Sequence, residues 1–157
     1  MNEFSKKRFL KYSLVTFWMI LIFILSGELG SRSGSLSGSV ISDLHAYAPS
    51  LSEQVATIAI RKSAHIFMYG VLGVFIANLL RDYKMSSKKI FGYGLLIAGL
   101  YASIDEIHQY FVGGRSSSPG DVLIDMAGAT IGICVYYGFL KILQSHHSSF
   151  SENGSDD

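Results

Sequence analysis

The side chains able to do chemistry are few, and they fall in groups. Asp105 and Glu106 are adjacent carboxylates, with His108 and Gln109 within the next helical turn. Arg61, Lys62 and His65 form a second group, Asp121 and Asp125 a third, and Ser26 and Arg115 stand apart. Carboxylates beside an imidazole can pass protons or ligate a divalent metal. Guanidinium and ammonium groups can hold phosphate or carboxylate. Two catalytic arrangements follow: His65 with Asp105 or Glu106 as an acid/base pair, or His65, Asp105, Glu106 and Asp125 around a divalent metal. The candidate catalytic residues are therefore His65, Asp105 and Glu106. The candidate ligand-binding residues are Arg61, Lys62, Gln109, Arg115, Asp121, Asp125 and Ser26. The sequence has no nucleophile motif, no HExxH and no P-loop, and its carboxylate and histidine spacing is not diagnostic of one metal.

Each group also has a plainer reading. Ser118, Pro119 and Asp121 match an N-cap, a first-turn proline and a capping acid. Arg61 and Lys62 sit where interfacial cations commonly anchor a span. His65 alone reads as a packed histidine, and Arg115 in a Gly/Ser loop as an exposed one. Tyr101, Tyr110 and Phe111 read as span-end aromatic belt residues. The charged residues taken together also suit a self-satisfied ion-pair network. Two adjacent carboxylates at a span end, however, have no lipid-anchoring value, so the joint pattern favours a functional cluster.

The elements that must position these groups are membrane spans. Of 157 residues, 49% are hydrophobic and 16% charged. Soluble domains carry about 25% charged residues, so an ordinary soluble enzyme, a disordered chain and a disulfide scaffold are excluded. Four apolar runs, near 9–25, 64–80, 90–107 and 122–143, approach the ~20 residues a helix needs to cross the hydrocarbon core. The first, preceded by Lys6, Lys7 and Arg8, also resembles a signal peptide, but no A-x-A-like site follows it. The expected layout is a cytoplasmic N-terminus at 1–8, a four-span domain at 9–143 and a disordered cytoplasmic tail at 144–157.

Positive residues set the orientation. Lys6, Lys7, Arg8 and Lys11 precede span one, and Arg81, Lys84, Lys88 and Lys89 fill the turn between spans two and three. Both termini are then cytoplasmic, and all the candidate residues face outside, with Lys11 close enough to a span end to snorkel. In the first outer connection, Val40, Leu44, Tyr47, Leu51, Val55 and Ile58 recur at helical steps across Pro49. An extra outer or interfacial helix is expected there, restarting at the Ser50/Glu53 capping box and running into span two. In span four, Asp121, Asp125, Gly128 and Gly132 share one stripe. Gly128 to Gly132 is a small-xxx-small step that lets two helices touch, so Asp125 is expected to point into the bundle. The fold class is an all-α, four-helix transmembrane bundle with the additional outer helix. Cys134 is the single cysteine and cannot form an intrachain disulfide.

These residues resemble the VanZ-like family. The first signature is Arg61-Lys62-Ser63-Ala64-His65-Ile66-Phe67 with Tyr69 and Leu72-Gly73. The second is Asp105-Glu106-Ile107-His108-Gln109 with Phe111, Gly114-Arg115-Ser116, Asp121-Val122-Leu123-Ile124-Asp125, Gly128 and Gly132. Trp18 and Ser26 match the weaker first-span pattern, and the resemblance covers roughly residues 12 to 140. Met68 departs from it, since members often carry an acid there. The resemblance implies a small multi-pass protein of the cell membrane, related to one associated with low-level teicoplanin resistance. It does not imply a reaction.

The expectation is an outward polar pocket that engages a lipid head group, a lipid-linked envelope precursor or a lipoglycopeptide, lowering teicoplanin susceptibility. The first alternative is a membrane-embedded acid/base or divalent-metal-dependent hydrolase or transferase acting on a lipid-linked phosphate. The second is a structural membrane subunit. The lipid bilayer is the expected partner, and nucleic acid is not.

Overall fold

A computed structural model describes residues 3–31, 53–112 and 118–152, and these form four helices. They are α1 (Glu3–Ser31), α2 (Glu53–Arg81), α3 (Ser87–Val112) and α4 (Pro119–Glu152). Each contains a stretch long and apolar enough to cross a membrane: Glu3–Gly27, Ile58–Arg81, Ser87–Phe111 and Pro119–Ser145. Phe17, Leu100, Ile104, Val135 and Phe139 are all more than half exposed on the outside of the bundle. Apolar side chains around a whole girth suit hydrocarbon, where helices satisfy every backbone group internally.

The core is thin and centred on α2. Tyr69, Leu72, Ile76 and Ile133 are essentially inaccessible, and Ile22, Tyr101 and Ala102 pack beside them. The most extensive pairing is between α2 and α4, which run parallel because α3 separates them in sequence. Small residues bring their backbones together. A Cβ on Gly128 would lie 2.5 Å from the Ile66 carbonyl oxygen, one on Gly73 would strike the Ala129 backbone, and one on Gly132 would overlap the Gly70 backbone. The glycines thus permit a contact that dispersion then stabilises, as membrane helices require.

Cross-helix hydrogen bonds complete the packing. Trp18 Nε1 donates to the Met68 carbonyl at 2.9 Å, and the Tyr101 hydroxyl donates to the Met19 carbonyl. Tyr101 is therefore a buried tie between α1 and α3 and not a belt residue, whereas Tyr110 and Phe111 are exposed. Met68 contributes its carbonyl and packs its side chain against the core.

Three expectations need revision or lie elsewhere. Lys11 does not merely snorkel: its Nζ meets Asp82 Oδ1 at 2.7 Å and the Asn78 carbonyl at 3.1 Å. Asn78 in turn faces the Tyr136 hydroxyl at 3.3 Å, so polar groups are gathered at both ends of the bundle. Helix α4 continues through 144–152, the first part of the segment expected to be a disordered tail; no glycine or proline interrupts the chain there before Gly154. The expected extra helix before span two falls largely in residues 32–52, outside the described residues, although α2 does run unbroken from Glu53 into the span. The α2–α3 turn closes with Lys84 at a φ of 53°, the left-handed conformation that caps a helix C-terminus.

Candidate functional site

One end of the bundle joins the C-terminal part of α1, the start of α2, the end of α3 and the start of α4. Ser26, Asp105, Glu106, Gln109 and Asp125 are all buried there, each 5% exposed or less. A charged or polar residue at membrane depth is costly without partners. The partners observed come from different helices.

Helical spacing sets two rungs between α2 and α4. Lys62 Nζ lies 3.2 Å from Asp121 Oδ1, and His65 Nδ1 lies 3.1 Å from Asp125 Oδ1. The advance is three residues on α2 and four on α4, about one turn on each. Exposure falls steeply from the outer rung to the inner one: the Lys62 and Asp121 side chains are 41% and 19% exposed, those of His65 and Asp125 12% and 1%. The outer pair is a rim ion pair, worth about 1 kcal/mol or less. The inner pair is a buried imidazole–carboxylate contact.

Asp105 is held from two sides. Ser26 Oγ donates to its Oδ1 at 2.5 Å, and Gln109 Nε2, one turn on along α3, donates to its Oδ2 at 2.9 Å. Both donors are neutral. One atom from each of His65, Asp105 and Asp125 lies within 4.8 Å of the others, so α2, α3 and α4 each deliver one group to a common point. That set could pass a proton between imidazole and carboxylate or hold a divalent metal. Arg61, Lys62, His65, Gln109, Asp121, Ile124 and Asp125 line a cleft above it.

Glu106, expected beside Asp105 as a catalytic acid, also meets the start of α4. The backbone N–H of Ser118 donates to its Oε1 at 2.8 Å, fixing the start of α4. Ser118 Oγ accepts from the Gly120 N–H at 3.2 Å. The expected N-cap and first-turn proline are thus observed, and Asp121 both belongs to that first turn and pairs with Lys62. Arg61 lines the cleft without an ion pair among the described residues. Arg115 lies outside the described residues.

Two residues of this end had no role assigned from the sequence. Tyr69 is wholly buried, stacks in parallel with His65 at 6.4 Å between ring centroids, and its hydroxyl has no hydrogen-bond partner among the described residues. Its position one turn after His65 was the available signal. His108 stacks on Phe23 at 3.8 Å, a cross-helix contact that spacing within α3 does not reveal.

Four spanning helices around a buried polar cluster define a polytopic membrane protein. The chain belongs to the VanZ/LLP1 family, whose model matches residues 10–143. No curated protein and no solved structure matches it.

Proposed function

We propose that this protein binds the head group of a membrane-resident ligand in the cleft under Arg61 and Lys62. The ligand class is an anionic lipid, a lipid-linked envelope precursor or a lipoglycopeptide. The observation that carries this reading is the cleft itself, with cations at its rim and buried carboxylates below. Phosphate or carboxylate would meet Arg61 and Lys62, while amine or hydroxyl groups would meet Asp105 and Asp125. The basic residues at 6–11 and 81–89 support cytoplasmic termini, with the cleft on the outer leaflet of the cell membrane. A lipid-tailed antibiotic such as teicoplanin would reach a site there, and lowered susceptibility would follow from its capture.

The test is lipid retention. Wild type and an Arg61→Gln, Lys62→Gln double variant are purified in detergent, and bound lipids are identified by mass spectrometry. Wild type is expected to retain a phosphate-bearing lipid, and the variant at least about tenfold less, since either lost charge-assisted contact alone is worth that much. Equal retention would overturn the reading. Expression in a susceptible host is expected to raise the teicoplanin inhibitory concentration for wild type only.

A second reading rests on the buried His65–Asp125 contact: an acid/base hydrolase or transferase acting on a lipid-linked phosphate. Turnover lost in His65→Ala with ligand retention intact would establish it over simple binding. If conservative changes at the cleft alter neither retention nor turnover, the polar ties serve only helix assembly, as in a structural membrane subunit.

A further inference from the structure

We propose that His65, Asp105 and Asp125 hold a divalent first-row transition-metal ion at the floor of the cleft. Each comes from a different helix, and one ligating atom of each lies within 4.8 Å of the others. Bonds of about 2.0–2.2 Å place neighbouring ligand atoms about 3.0–3.5 Å apart. The His65 and Asp125 atoms are already at 3.1 Å, so small side-chain rotations bring Asp105 into the same shell.

Buried atoms with unused capacity form the second observation. Asp125 Oδ2 is buried without a hydrogen-bond partner among the described residues, as is the Tyr69 hydroxyl. Buried polar atoms are normally satisfied, and exceptions at one place mark a group that completes them.

Charge leads to the same conclusion. Asp105, Glu106 and Asp125 are all buried. Asp105 is bonded by a hydroxyl and an amide, and Glu106 by a backbone N–H, all of them neutral donors. Among the described residues, the His65 imidazole is the one group within ion-pair distance of any of these three acids. A dication between Asp105 and Asp125 balances two carboxylate charges that lipid-depth burial otherwise makes costly.

The surroundings also have the form of an outer coordination sphere. Ser26 and Gln109 fix the Asp105 carboxylate from both sides, as orienting groups do around a ligand. One nitrogen and two carboxylates suit Zn²⁺ or Mn²⁺ better than Ca²⁺ or Mg²⁺, which favour all-oxygen shells. Because His65 and Asp125 line the cleft, an ion there borders the space beneath Arg61 and Lys62. A phosphate oxygen of the ligand would then take an open position on the metal. That clause rests on the head-group reading, and the metal site does not.

The experiment titrates Co²⁺, as a spectroscopic stand-in, into chelator-stripped full-length protein in nanodiscs. Saturable binding at one ion per chain is expected, with a visible absorption band that Zn²⁺ abolishes by displacement. His65→Gln and Asp125→Asn are each expected to weaken binding at least about a hundredfold, and Gln109→Ala about tenfold, the usual range for an orienting group. Wild-type protein without saturable binding, or variants that bind as well as wild type, would overturn the proposal. Should Asp125→Asn fail to fold, His65→Gln and the wild-type unfolding midpoint with and without Zn²⁺ decide it. An unchanged midpoint beside unaltered binding in His65→Gln counts against the site. Polyprenyl phosphate retention, measured on stripped and loaded protein, separates the two readings. Retention that depends on Arg61 and Lys62 without any bound metal removes the metal alone. Bound metal without retained phosphate lipid removes the head-group reading alone.

Discussion

Asp105 illustrates how a single residue can be structural and functional at once. Its two oxygens take the Ser26 hydroxyl and the Gln109 amide, tying α1 and α3 together at one end. Asp105→Asn keeps the shape and can keep both contacts if the Gln109 amide turns over. Asp105→Ala strands the buried Gln109 amide, at about 1–3 kcal/mol, while the Ser26 hydroxyl keeps the Phe23 carbonyl at 3.2 Å. The expected outcome is an unfolding midpoint near wild type for Asp105→Asn and clearly lowered for Asp105→Ala, read by thermal unfolding in detergent. Ligand retention is expected to fall in both, because both remove the charge. Equal midpoints would mean that Asp105 contributes nothing to helix assembly. At this scale the sequence named polar residues that the structure buries at one end, but their partners were legible only in part. Glu106 looked equivalent to Asp105, yet its carboxylate takes the Ser118 N–H. Spacing along one helix fixes which face a side chain shares; it does not fix what the facing chain offers.

The α2–α4 seam is where periodicity was most informative. Asp121, Asp125, Gly128 and Gly132 were readable as one stripe, and that stripe meets α2. The Gly132→Ala variant would place its methyl in the Gly70 backbone. Overpacking of this kind costs about 1–3 kcal/mol and forces the helices apart. A Cβ at Gly138, six residues further along the same helix, has nothing within 4 Å. The expected result is a marked loss of thermal stability for Gly132→Ala, and for Gly138→Ala a change of about 1 kcal/mol or less, in the stabilising direction. If the two variants unfold alike, close backbone approach is not what joins α2 to α4. The polar tie between Lys11 and Asp82 was not legible in the sequence, as the Glu106–Ser118 contact was not. Lys11 reads as a span-end cation, no spacing singles out Asp82, and 71 residues separate them.

Across the whole molecule, the bundle has two polar ends of different character. The end holding Lys11 and Asp82 carries a partly exposed ion pair in a basic neighbourhood, while the other carries a buried acidic cluster. The asymmetry suits cytoplasmic termini. After Cys134→Ser, single cysteines at Lys7 or Ser151 are expected to resist a membrane-impermeant maleimide in intact cells, and one at Ser33 to react. Labelling at Lys7 would invert the topology and place the cleft on the cytoplasmic leaflet. The number of spans was legible from apolar run lengths alone. The length of α4 was not, because a polar segment without glycine or proline can continue a helix past the membrane or leave it.

The stripe on α4 that packs against Gly70 also carries the acid that meets His65, and this bears on how the sequence can vary. Selection for close packing and selection for the site act on the same positions, one every three or four residues. A saturation scan of α4 should therefore show intolerance recurring at 121, 125, 128 and 132, with free exchange among apolar residues at Leu123, Ile131, Val135 and Phe139, which face away. The chemistry at the top of the helix could not drift without the packing below it, and descendants of this sequence would retain or lose the two together.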